Sequence, residues 1–153
     1  MRRWLALAAL LVALDQLSKF AIARVLAAGH GIEVTPFLNL VLVHNRGAAF
    51  SFLASAAGWQ RELFIAIALI AAAWIVFLLR RHPQQILFCF ALSLILGGAL
   101  GNVIDRMLSG AVIDFMDFHV AGYHWPAFNV ADSAITCGAG LLVWDSLRPH
   151  RKT

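Results

Sequence analysis

The chain has 153 residues, of which 61% are hydrophobic and 13% charged, with a formal net charge of +4 and a mean hydropathy of +0.80. Soluble domains run about 45–50% apolar and about 25% charged, so this balance excludes a soluble globular protein and fits one membrane-embedded domain over residues 1–153. The basic residues collect at the chain ends and in one short loop and form no stripe, which argues against nucleic acid as a partner.

The first apolar run, about Trp4–Leu26, is long enough to cross a bilayer core of roughly 20 residues. Its start imitates a secretory signal: Arg2-Arg3, an apolar stretch, then Ala21-Ile22-Ala23. Asp15, Gln16, Ser18 and Lys19 interrupt it where a signal core is uniformly apolar, so a retained span is expected. Asp15 and Lys19, spaced i, i+4, predict an ion pair turned toward the other helices, with Ser18 on the same face. A Ser18–Lys19 protease pair does not fit, because neighbouring helical positions point about 100° apart.

Next come Phe37–Val43, rich in branched residues and read as a strand, and Asn45-Arg46-Gly47, which supplies turn chemistry. Asn45 is either a turn former or a donor to a substrate backbone. Leu53–Leu63 reads as a short interfacial helix. Two more spans follow at about Leu63–Leu79 and Ile86–Ile104, separated by the His82-Pro83 break. Val112–Val120 is a second strand able to pair with the first, with Ala121-Gly122 as hairpin tip. The last span runs from about Ala131 to Leu147. Cys89 and Cys137 lie inside apolar runs and read as small core residues.

Lys and Arg set the orientation. Arg2, Arg3, Arg80, Arg81, Arg148, Arg151 and Lys152 fall on one side, which is cytoplasmic by the positive-inside rule. Both termini are then cytoplasmic, and the small sheet lies on the extracytoplasmic face. The expected fold is α-helical and membrane-integral: four transmembrane helices, a small extracytoplasmic β-sheet and a short interfacial helix.

Ionisable groups at the edge of a membrane span are costly and mark function. Asp114 follows the third span and Asp132 opens the fourth, so both lie at one membrane face. Two carboxylates close together share a proton, because like charges raise one pKa; the pair can then activate a water for peptide hydrolysis. Competing readings are a dipole-complementing acid at a helix start for Asp132 and a solvated loop acid for Asp114. Asp117 reads as a surface acid and the histidines as surface residues, with no His-Glu-x-x-His zinc motif. Gly98, Gly101, Asn102 and Asp105 share one helical face, open either to close helix packing or to an extended substrate segment. Arg106 is placed to orient Asp105, to hold a substrate carbonyl or to meet a lipid phosphate. A proton relay and a membrane scaffold with capping acids are the rival functions.

Five blocks carry a family resemblance: Asp15-Gln16-Leu17-Ser18-Lys19, Asn45-Arg46-Gly47-Ala48-Ala49-Phe50, Gly97 through Arg106, Val112-Ile113-Asp114-Phe115 and Phe128-Asn129-Val130-Ala131-Asp132. In this order they resemble the lipoprotein signal peptidases, the type II signal peptidases of bacteria, over essentially the whole chain. The resemblance implies four transmembrane helices with an outer β-cradle. It implies an aspartic endopeptidase that removes the signal peptide from diacylglyceryl-modified prolipoproteins, cutting N-terminal to the lipidated cysteine. Asp114 and Asp132 would be the catalytic pair. Asn45, Asn102, Asp105, Arg106 and Asn129 would line or brace the site, supported by Asp15. Lys19 and Gly98, singled out by their positions, complete the candidates. The resemblance implies no metal or other cofactor. The expected partners are the prolipoprotein substrate and the bilayer, with the chain acting as a monomer in the bacterial inner membrane.

Overall fold

The computed structural model describes residues 1–26, 31–47 and 58–148. These form four helices, α1 (Arg2–Val25), α2 (Gln60–Arg81), α3 (Ile86–Ser109) and α4 (Val130–Leu147), and four strands, β1 (Ile32–Thr35), β2 (Leu38–Asn45), β3 (Val112–Val120) and β4 (Tyr123–His124). The strands make one antiparallel sheet in the order β1-β2-β3-β4.

By length and apolarity, α1, α2 and α3 are able to cross a membrane. The fourth expected span exists as α4, but that helix carries Asp132, Ser133, Asp145 and Ser146 near its ends and does not reach the same apolarity. Of the interfacial helix expected over Leu53–Leu63, residues 53–57 lie outside the described residues, and Gln60–Leu63 form the first turn of α2.

Helix α3 is the centre of the molecule: 56% of its apolar stretch is buried, against 17% for α1 and α2. Apolar burial drives helices together weakly in lipid, so close backbone approach matters more. Gly97 sits against Leu11 and the Ala8 carbonyl of α1, and Gly98 lies under the Ala131 carbonyl of α4. Gly138 returns the contact from α4, its missing side chain leaving room for the Ala91 carbonyl. Trp4, Ile75, Leu79, Cys89 and Leu92 fill the core at the opposite end from the sheet. Cys137 is exposed on α4, contrary to its expected core position.

The passage from α3 to β3 is short. Gly110 adopts φ 76, ends the helix, and donates its N–H to the Arg106 carbonyl at 3.1 Å. Arg61, from the first turn of α2, caps the same end by donating to the carbonyls of Arg106 (2.8 Å) and Met107 (3.1 Å). β3 therefore starts directly above α3. It returns through Ala121 and Gly122, both at positive φ, as the expected two-residue hairpin requires.

Candidate active site

Asp114 lies on β3 and is 2% exposed, so it is not a solvated loop acid. Two amides hold it: Asn45 Nδ2 donates to Oδ2 at 3.0 Å and Asn129 Nδ2 to Oδ1 at 2.7 Å. Asn45 reaches Asp114 through an irregularity in β2. Leu40 faces Met116, but Val43 faces Asp114 and Asn45 faces Val112, so β2 carries one extra residue. Directly opposed residues share a sheet face. The bulge therefore moves Asn45 onto the face of Val112 and Asp114, where uninterrupted pairing would have put His44. Gly47 donates its N–H to Asn45 Oδ1 at 2.9 Å, fixing which way that amide points and realising the turn expected there.

Asp132 lies in the first turn of α4, whose N-cap is Asn129. Asn129 Oδ1 accepts the Asp132 N–H at 2.9 Å. One side chain, fully buried, thus caps α4 and binds Asp114. The Asp132 carboxylate does not cap its own helix; Oδ1 accepts from Asn102 Nδ2 of α3 at 2.8 Å.

Both carboxylates line one cavity of about 590 Å³. Asn45, Asn102 and Arg106 are among its other polar lining residues, with Ser133 and Thr136 of α4, while Phe64 and Ile67 of α2 and Ile135 of α4 add apolar wall. Burial pushes the Asp114 carboxyl up to about 6 from an ordinary 3.8. The hydrogen bond from Asn45 opposes that rise, the charge of Asp132 adds to it, and the bond from Asn129 opposes it.

Behind the cavity lies a buried charge cluster. Lys19 Nζ is 2.8 Å from Asp15 Oδ2, 2.8 Å from Asp105 Oδ2 and 3.0 Å from Asn102 Oδ1. Removing one partner of such a pair costs ~3–5 kcal/mol, so the cluster pins α1 to α3. Asp105 is thus held by Lys19, while Arg106 donates to the carbonyls of Gly47 (2.9 Å) and Asn102 (3.3 Å). Its guanidinium also sits 5.2 Å from the Phe64 ring centroid. Arg106 Nε is buried with no hydrogen-bond partner among the described residues.

Of the two readings of the Gly98–Gly101 face, close helix packing holds for the glycines, which lie against Ala131 and Asp15, while Asn102 of the same face lines the cavity with Ala99 and Arg106. Asp117 is buried, not a surface acid: His124 Nδ1 lies 2.9 Å from it and Asn39 Nδ2 donates to it at 3.2 Å. Burial favours its neutral form, but these bonds and the nearby His119 outweigh that and hold it below the usual carboxylate range. Gln16, which the sequence marks only as part of the polar inset, donates its amide to Asp105 Oδ1 at 2.8 Å and to the Gly101 carbonyl at 3.2 Å. Its place in the polar inset beside Asp15 was the available signal.

The family profile described as Signal peptidase (SPase) II matches residues 7–148. The lipoprotein signal peptidase of Paraburkholderia phymatum is 61% identical over 148 residues, covering 97% of this chain and 89% of that one. That of Ralstonia nicotianae is 60% identical over 149 residues, covering 97% and 86%. Among solved structures, a bacterial membrane enzyme determined by the in meso method at 2.3 Å resolution superposes with a TM-score of 0.85. It is 34% identical, and the match covers 100% of this chain and 94% of that one. A second, at 1.9 Å resolution, gives 0.84 at 35% identity, covering 100% and 96%.

Proposed function

The chain belongs to the signal peptidase II family, and from that premise we propose that it is an aspartic endopeptidase with Asp114 and Asp132 as its reacting pair. Its substrate is a diacylglyceryl-modified prolipoprotein, and the cut falls just N-terminal to the lipidated cysteine. The observation that carries the proposal is the double role of Asn129. It binds the Asp114 carboxylate and caps the turn that bears Asp132, so both acids line one cavity.

The reaction uses one proton between two carboxyl groups. The ionised member takes a proton from water as the water oxygen bonds to the scissile carbonyl carbon. The neutral member gives its proton to the carbonyl oxygen, forming the neutral tetrahedral intermediate. Collapse breaks the C–N bond, the new amine takes the first proton, and the carbonyl returns the second. An Asp114 pKa near 6 suits a pair that keeps one proton close to neutral pH. Arg106, whose guanidinium lines the cavity beside both acids, holds a substrate carbonyl in this reading. Asn45, Asn102 and Asn129 hold the carboxylates, and Asp15, Lys19 and Asp105 brace them.

A signal peptide must unwind before an amide can be attacked, and lipid cannot satisfy exposed backbone. The polar end of the cavity can receive that backbone, and the apolar wall can receive the side chains. Helix α4, about 27 Å long at 1.5 Å per residue, completes four crossings of a core about 30 Å thick. Both termini are then cytoplasmic, and the sheet and acids lie at the extracytoplasmic face of the bacterial inner membrane. The test is product identity. Purified enzyme in lipid should convert a lipidated prolipoprotein to a product whose first residue is the modified cysteine, and leave the unlipidated precursor intact. Cleavage elsewhere, or none, refutes the assignment.

A further inference from the structure

Lys19 is the largest fully buried side chain of the described residues and one of two lysines in the chain. A lysine ammonium has three N–H donors and no acceptor. Here its three neighbours are Asp15, Asp105 and Asn102, at 2.8, 2.8 and 3.0 Å. Each of these acceptors holds a second group beside one of the two acids. Asp15 Oδ1 accepts the N–H of Ala131, the residue before Asp132, at 3.0 Å. Asp105 Oδ2 accepts the N–H of Ile113, the residue before Asp114, at 3.2 Å. Asn102 donates directly to Asp132 at 2.8 Å.

The Asn102 amide is the most telling link. An ammonium only donates, so Asn102 must turn its oxygen to Lys19, which leaves its N–H for Asp132. Asn129 Nδ2 points at the same Asn102 oxygen from 3.4 Å, which agrees with that orientation. A flipped amide would face the ammonium with its own donor and offer Asp132 a second acceptor.

We propose that Lys19 is a positioning residue for the reaction: a single ammonium, through Asp15, Asp105 and Asn102, sets the placement of both Asp114 and Asp132. This rests on the assignment of those two acids as the reacting pair. It goes beyond an ion pair that merely holds α1 in place, because it ties one atom to the geometry of both acids.

The test is Lys19→Met combined with Asp105→Asn. The double change removes one positive and one negative charge, so the net buried charge is unchanged although Asp15 loses its ammonium partner. Folding is read from thermal unfolding in lipid, and kcat and KM from cleavage of a lipidated peptide. A folded double variant should lose ~100-fold or more in kcat, the scale of a misplacement near 1 Å. KM should move by less than ~3-fold, because the interaction acts on the transition state more than on substrate binding. A folded double variant with near-parent kcat overturns the proposal. Should the variant not fold, the parent decides, by selective side-chain 15N labelling of its two lysines with Lys152→Arg for assignment. A charged Lys19 with exchange-protected protons supports the proposal, and a neutral or freely exchanging one overturns it. Asp114→Asn separates the two levels. If that variant still cleaves, the catalytic assignment fails; if it is inactive while the double variant is fully active, only the role of Lys19 fails.

Discussion

The Asn129 side chain donates to Asp114 Oδ1 at 2.7 Å while its oxygen takes the Asp132 N–H at 2.9 Å. A helix cap and a ligand to the other acid are therefore the same amide. The distance between strand β3 and the first turn of α4 is set by the length of one asparagine.

Replacement of that residue separates its two jobs. Asn129→Ser keeps an oxygen for the cap but cannot donate to Asp114 from the same place. Asn129→Ala loses both and should unfold more easily by about 1 kcal/mol, the ordinary worth of a cap. Both should lose ~100-fold or more in cleavage of a lipidated peptide. Thermal unfolding and turnover measured on the same samples check this; parent-level turnover in Asn129→Ser would contradict it.

The raised Asp114 pKa has a signed consequence for stability. Its folded value is about 6 against an ordinary 3.8, so between those values the folded protein binds more protons than the unfolded chain. Asp114 therefore lowers stability as pH rises through that window. Asp114→Asn should raise the unfolding temperature above pH 6 and make little difference at pH 4. For activity, the Asn45 bond favours the ionised form, so Asn45→Ala should move the alkaline limb of the pH–rate profile to higher pH. A limb that stays put would remove Asn45 from the account.

Asp117 serves a different end of the sheet. It faces Asn39 and His124 and is not among the residues that line the cavity of Asp114 and Asp132. Its pKa is held down mainly by His124 and Asn39 against the effect of burial. The sign is then the ordinary one: stability present above the unfolded carboxylate pKa and lost as pH falls through the folded one. Asp117→Asn should loosen the β3–β4 hairpin, seen as faster exchange of the Trp125 N–H, which bonds the Phe118 carbonyl at 2.7 Å. Cleavage should change by less than ~3-fold, a ground-state effect at most. Loss of cleavage on the scale of Asp114→Asn would make Asp117 a member of the reacting pair.

Glycine positions in α3 and α4 should differ sharply. A side chain at Gly98 would run into the Ala131 carbonyl and push α4, with Asp132, away from Asn102. Gly140 has nothing within 4 Å of where a side-chain carbon would stand. Gly98→Val should abolish cleavage and lower the unfolding temperature, whereas Gly140→Val should leave cleavage near the parent level. Equal effects at the two sites would show that the α3–α4 approach does not govern the site.

What the sequence discloses is what local pattern controls. The apolar runs mark α1, α2 and α3 within a few residues, and the Ala121-Gly122 tip is found because positive φ favours such residues in a two-residue turn. Helix α3 runs to Ser109, beyond the membrane span expected over about Ile86–Ile104, and carries Asp105 on the helical face expected for it. Strand β1, four residues long, has too little alternation to announce itself. The face of Asn45 is set by a bulge, which strict alternation cannot foresee. Asp117 looks like a surface acid until Asn39 and His124 arrive from neighbouring strands. For Asn45 and Asp117, an added residue or a partner on a neighbouring strand overrides the local rule.

The most direct measurement is turnover of a lipidated prolipoprotein by Asp114→Asn and Asp132→Asn, each in lipid beside the parent and each shown to be folded by thermal unfolding. If two carboxyl groups share the work, each variant alone should fall by ~10⁴-fold or more, with little further loss when both are combined, since residues acting as a unit are not additive. Sustained cleavage by either folded variant would contradict a two-aspartate mechanism.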